Sequence, residues 1–243
     1  MSSKILALWS FIIVMLCGCI FLNKKIDFKA ALDIMLIIGI ISETLKICSY
    51  IVANEETLNG YLPKTDLPFH LCSIQIIFML ILKLSKNENL KNILCSFMVP
   101  TCLIGGFAAL MLPTSSSLNM WVITCQYFVY HIGIMWFAIY LLQSNEFKLT
   151  VKGYITTLLM LFGIFFIAIY LNSWIYDGRG NTDINFMYVV SPPKSGLPFL
   201  NKDHGWLVYI IHYAFLAVFC ITVTYIKPII GWFKNKKNKQ EEK

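Results

Sequence analysis

The residues best equipped for chemistry lie in Leu67-Pro68-Phe69-His70-Leu71-Cys72-Ser73-Ile74-Gln75, where an imidazole, a thiol and a carboxamide fall close together. A second group, Cys125-Gln126-Tyr127-Phe128-Val129-Tyr130-His131, adds another imidazole. On a helix Tyr127 and His131 are one turn apart, as are Gln126 and Tyr130. A thiol and an imidazole are the minimal kit for nucleophilic acyl chemistry, because a weak nucleophile needs a base and pre-aimed donors. Cys72 is then the candidate nucleophile and His131 the base, with His70 or Gln75 steadying the oxyanion. A third group is Glu43 and Lys46, three residues apart and so neighbours on one helix face.

Each group also has a plain structural reading. Glu43 and Lys46 can lock helix packing as an ion pair. The 66–75 stretch can be a capped helix start, with Asp66 as N-cap and Pro68 in the first turn. Such a start stabilises negative charge and favours a nearby thiolate. On a regular helix, however, His70 and Cys72 point about 200° apart and cannot both face one substrate. A lone helical His such as His131 is often a satisfied core residue, and His204 reads as solvated and His212 as packed.

The elements that carry these residues are apolar. Of 243 residues 58% are hydrophobic and 14% charged, against about half and a quarter in soluble domains. Seven stretches approach the roughly 20 residues a membrane span needs: 5–23, 30–53, 68–84, 92–112, 120–142, 153–174 and 205–227. They lack the polar alternation of barrel strands, so they read as helices. The expectation is an all-α polytopic bundle of about seven transmembrane helices, one domain over 1–230 with a basic tail over 231–243. A retained first helix fits better than a cleaved signal peptide, because apolar residues run past Cys17-Gly-Cys19 into Lys24 and Lys25.

Intramembrane ionisable residues are costly, about 3 kcal/mol each on insertion scales, so they mark function or pairing. Basic residues in loops set orientation. Fourteen fall in loops 1, 3 and 5 and the tail, against five on the other side. That predicts an outside N-terminus and a cytoplasmic C-terminus. Span 3 then opens near the outer face, while His131 lies about twelve residues into span 5, roughly 18 Å along the axis. Cys72 and His131 meet only through tilt or a shifted span start. The net charge of +7 sits in loops and tail, which argues against nucleic acid and for contact between tail lysines and anionic lipids. The eight cysteines lie almost all in apolar runs and form no zinc spacing. No cofactor motif is present.

Leu67-Pro-Phe-His-Leu-Cys72 resembles a motif at the start of a span in the YwaF-type family of bacterial integral membrane proteins. Tyr127-Phe-Val-Tyr-His131, Asn185-Phe-Met-Tyr188 followed by Pro192-Pro193-Lys194, and Gly205-Trp206 follow in the matching order. That family is distantly similar to the eukaryotic transmembrane protein 164 group, associated with Cys-dependent acyl transfer between phospholipids. The resemblance implies that His70 and His131 match the two His positions. In the eukaryotic group the Cys directly precedes the first His, a position held here by Phe69, so Cys72 is the nearest thiol. The leading expectation is therefore a lipid acyltransferase or lipid-ester hydrolase of the bacterial cytoplasmic membrane, acting on membrane lipids. Its catalytic residues are Cys72, His131 and His70, and Glu43, Lys46, Gln75, Gln126, Tyr127, Asn185 and Tyr188 line the substrate site. The alternative is a transporter or solute-binding subunit, in which Glu43, Lys46, His70, Gln75, Gln126 and His131 line a polar cavity.

Overall fold

The computed structural model describes residues 23–53, 64–111, 121–144, 146–175, 184–192 and 200–241. Seven α-helices occur among them: α1 (Phe28–Ala53), α2 (Leu71–Leu84), α3 (Glu88–Met111), α4 (Trp121–Gln143), α5 (Val151–Ile175), α6 (Trp206–Thr224) and α7 (Ile226–Glu241). Helices α1, α3, α4, α5 and α6 are long and apolar enough to cross a membrane. The protein is a multipass membrane protein. The expected span 5–23 lies outside the described residues except for Asn23, and so do Cys17 and Cys19. Expected spans two and four to seven coincide with α1 and α3 to α6, whereas span three meets α2, which is shorter than the five long apolar helices.

Helix α3 is the hub and packs on α2, α4 and α5. Its middle is the most buried part of the fold, from Leu94 through Cys102. Pro100 inside it removes one backbone donor, which transmembrane helices tolerate when neighbours cover the gap. Small residues let backbones approach, as membrane helix packing requires. A Cβ on Gly39 of α1 would fall 2.9 Å from Ile76 on α2, and one on Gly133 of α4 would fall 3.0 Å from Met35 on α1. One apolar cluster joins α1 to α4, including Met35, Met79, Met98 and Ile134. A second joins α3, α5 and α6 and takes in Met187 and Val189 from the segment between α5 and α6.

Helix α2 departs from expectation. It starts at Leu71, with His70 as an extended N-cap (φ −77°, ψ 152°) that makes no side-chain cap bond. Asp66 does not cap it but closes a short 3-10 turn, Lys64–Asp66, and its carboxylate lies against the Tyr50 hydroxyl. Pro68 itself would fit a first turn; the delay goes with the contacts of Phe69 and His70 on Phe186 and of the Met187 N–H on His70. The helix has 14 residues, about 21 Å at 1.5 Å per residue. A bilayer core is about 30 Å, so irregular chain makes up the difference. Such backbone is tolerated at membrane depth only when buried in protein or lining a cavity. Here it is covered: Phe69 meets Phe186 edge-on at 5.3 Å between ring centroids, and His70 meets the same ring at 5.5 Å.

The basic tail is part of a helix. Tyr225 ends α6, and α7 continues to Glu241. Contrary to expectation, His212 is exposed on α6; His204 is exposed, as its loop position implies.

Candidate active site

The late start of α2 brings Cys72 down to the level of His131. Tyr130 donates its hydroxyl to the Cys72 carbonyl at 2.6 Å, and His131 is the next residue. The two segments expected at different depths therefore meet across α2 and α4.

Gly105 and Gly106 of α3 form the meeting point. A Cβ on Gly105 would lie 3.5 Å from the Cys72 sulfur. One on Gly106 would lie 3.0 Å from the His131 carbonyl oxygen and 2.5 Å from Met135. Two adjacent residues without side chains thus admit the thiol on one side and the His131 turn on the other.

His131 is buried. Its Nδ1 is 2.7 Å from the Tyr127 carbonyl. A carbonyl only accepts, so Nδ1 carries the hydrogen and Nε2 of the neutral ring keeps its lone pair. No described residue hydrogen-bonds Nε2. The Tyr127 ring lies on the imidazole at 4.2 Å, and its hydroxyl donates to the Ala109 carbonyl. His70 is close enough to His131 for the two rings to interact electrostatically.

Cys72 is the second residue of α2. The first helix-satisfied donor is Ile74, bonded to the His70 carbonyl. The N–H groups of Leu71, Cys72 and Ser73, in the first turn, have no i−4 partner inside the helix.

The segment between α5 and α6 closes the site from above. Its turn, Phe186–Tyr188, carries Met187 at φ 56° and Tyr188 at φ 54°, a left-handed conformation unusual for side-chain-bearing residues. The turn is held from several sides. Asn172 of α5 clamps Phe186, with Oδ1 accepting its N–H (2.8 Å) and Nδ2 donating to its carbonyl (3.1 Å). Asn185 accepts the N–H groups of Val190 and Ser191. Tyr209 donates to the Tyr188 carbonyl, and the Trp206 indole to Val189. Met187 donates its N–H to His70 Nδ1 at 3.4 Å. Tyr188 lies 6.0 Å from the His70 ring, and its phenol, pushed up by burial, stays protonated near Cys72.

A family model described as the TMEM164 family matches residues 1–225. The chain belongs to the TMEM164 family. The match covers all of the helices just described up to the end of α6, and it agrees with the expected relation to the transmembrane protein 164 group. No curated protein and no solved structure gives a significant match.

Within this TMEM164-family bundle, the expected site residues divide. His70, Cys72, Tyr127, His131 and Tyr188 gather at one end. Glu43 and Lys46 form an ion pair at 2.7 Å beside them; Glu43 reaches Ser73 on α2, and both members act electrostatically on His70. Asn185 is spent on its own loop. Gln75 is buried and donates to Thr101 at 3.0 Å, which ties α2 to α3. Gln126 accepts from Ser42 and lines, with Trp121 and Leu45, an apolar lateral cavity of about 320 Å³ between α1 and α4. Asn172, Tyr209 and the Gly105-Gly106 pair were missed as site residues. Asn172 had a signal, being a lone Asn deep in an apolar run. Tyr209 had none, because it resembles any interfacial aromatic.

Proposed function

We propose that this protein is a lipid acyltransferase or lipid-ester hydrolase acting within the membrane through Cys72 and His131. The observation that carries the reading is the shared seat of the Cys72 sulfur and the His131 turn against Gly105-Gly106, with His131 Nε2 left as an acceptor. In the first half-reaction Sγ bonds the acyl carbonyl carbon and the thiol proton passes to His131 Nε2. The carbonyl π pair moves onto oxygen, where the unpartnered N–H groups at the start of α2 stabilise it. Collapse breaks the ester C–O bond, and the His131 proton goes to the leaving alkoxide. The resulting thioester is attacked by a second lipid hydroxyl or by water, whose proton returns through His131 and then to sulfur. The bacterial cytoplasmic membrane, with the basic helix α7 on the cytoplasmic side, fits the lysine distribution.

Transport finds less support. Gln75 and Gln126 are turned toward Thr101 and Ser42, so they tie helices together, as polar groups often do in membranes. The test is acyl transfer by the protein reconstituted in lipid with a labelled phospholipid. Intact-mass or gel detection should find label on the chain, abolished by Cys72→Ala and by His131→Ala. Turnover unchanged in both variants would sink the reading.

A further inference from the structure

His70 and His131 are alike in sequence but not in hydrogen bonding, and the difference assigns His70 a separate task. Its Nδ1 accepts the Met187 N–H at 3.4 Å. An accepting nitrogen carries no hydrogen, so in the neutral ring the hydrogen sits on Nε2. The Thr65 backbone also lies against this ring. The ring is thus held between main chain of two different segments, the stretch before α2 and the turn between α5 and α6. The ring faces are used as well, by Phe186 at 5.5 Å and Tyr188 at 6.0 Å. His131 has the opposite tautomer, with no described residue hydrogen-bonded to Nε2.

We propose that His70 is not a proton carrier but a neutral strut, a positioning residue whose imidazole fastens the left-handed Met187–Tyr188 turn over Cys72. The strained turn gives the strut its purpose. Residues held in such backbone regions persist only when their surroundings over-determine them. Asn172, Tyr209 and Trp206 fix the turn to α5 and α6. Among the hydrogen bonds of the described turn residues, the His70 bond alone ties it to the chain that carries Cys72. The turn otherwise meets that chain through packing contacts, such as Phe69 and the His70 ring on Phe186 and Leu71 and Ile74 beside the cluster that holds Met187. The groups facing His70 include Glu43 and Lys46 from α1, Asp66 from the preceding turn and His131 from α4. The acids and Lys46 place opposite charges around the ring.

This inference rests on the Cys72–His131 reading for its effect on turnover, but the strut itself is measured without any activity. Ring ¹⁵N spectra of histidine-labelled protein in lipid nanodiscs, assigned with His70→Asn, should show an unprotonated Nδ1 and protonated Nε2 at His70. His131 should show the reverse. A protonated Nδ1 at His70 overturns the proposal. The Met187 amide should be protected from exchange in wild type and released in His70→Ala. An amide equally protected in both overturns it too. On turnover, His70→Ala should lower kcat about 10²-fold, the scale of an ångström-size misplacement, with no shift in the pH profile. His70→Asn keeps an acceptor near Nδ1 and should restore most of the loss. A proton carrier would be lost equally in both variants, so equal loss refutes the strut. If wild type turns over no acyl ester at all, the function reading fails while the spectra still decide the strut. If His70→Ala does not fold, wild-type spectra and the Asn variant decide it alone.

Discussion

The two ends of the bundle use polar residues in opposite ways. At the end holding the α2–α3 connection, polar side chains serve as ties between helices. Asn23 donates to Gln143 at 2.8 Å and accepts the Trp136 indole at 2.6 Å. Tyr225, fully buried, donates to the Ser96 carbonyl and pairs with Thr157. Tyr154 pairs with Thr222, and Lys91 bridges to Glu146. Backbone between the helices there includes short extended links, with no left-handed residue among the described ones. At the His70 end the described chain includes extended and left-handed residues, and no described residue hydrogen-bonds His131 Nε2. A buried polar network that is satisfied rigidifies; an imidazole bonded through Nδ1 keeps an acceptor in the neighbourhood of the thiol. The contrast separates residues that hold helices from those that can do chemistry more sharply than residue type does.

Mutations should divide along the same line. The largest effect is expected for Cys72→Ala, with phospholipid acyl transfer falling by at least about 10³-fold, as for removal of a nucleophile from a concerted unit. Its thermal midpoint in detergent should stay near wild type. An unfolding shift as large as the activity loss would erase the contrast. Gly106→Ala comes next. The new methyl meets Met135, which can yield, and the His131 carbonyl, which is backbone, so about 1–3 kcal/mol of stability should be lost, read as a lower midpoint together with reduced activity. Asn172→Ala should be comparable or slightly milder, about 1–3 kcal/mol, because Phe186 loses partners for both N–H and C=O. Its activity should fall more than its stability explains. The smallest effect belongs to the other end: Tyr225→Phe removes hydrogen bonds worth about 1 kcal/mol in membrane helices and should leave turnover untouched. A Tyr225→Phe variant with strongly impaired turnover would break the distinction.

The sequence carried the helices well, because lipid leaves few alternatives: α1 and α3 to α6 coincide with apolar runs whose length alone is diagnostic. It carried the site only partly. Leu67-Pro68 signalled that something special precedes Cys72, yet Asp66 and Pro68 fit an N-cap and first turn so well that a helix from 68 was the natural reading. The true start at Leu71 depends on Phe186 and the Met187 N–H, over a hundred residues away, which no local pattern contains. The apparent depth conflict between Cys72 and His131 came from that displacement of a few residues. Likewise, Gln75 and Gln126 look like cavity-lining groups in sequence, and only their partners Thr101 and Ser42 mark them as ties.

The shortness of α2 has a consequence for the surrounding bilayer. Esters of a phospholipid lie at the glycerol level, near the edge of the hydrocarbon, whereas Cys72 sits on a 14-residue helix that begins only after a stretch of irregular chain. A helix some 9 Å shorter than the hydrocarbon invites local thinning, since lipids adapt to a short hydrophobic element at a modest free-energy cost. Membrane thickness would then act on this protein as concentration acts on a soluble enzyme: short-chain bilayers bring the glycerol backbone to the thiol, and long-chain bilayers withdraw it.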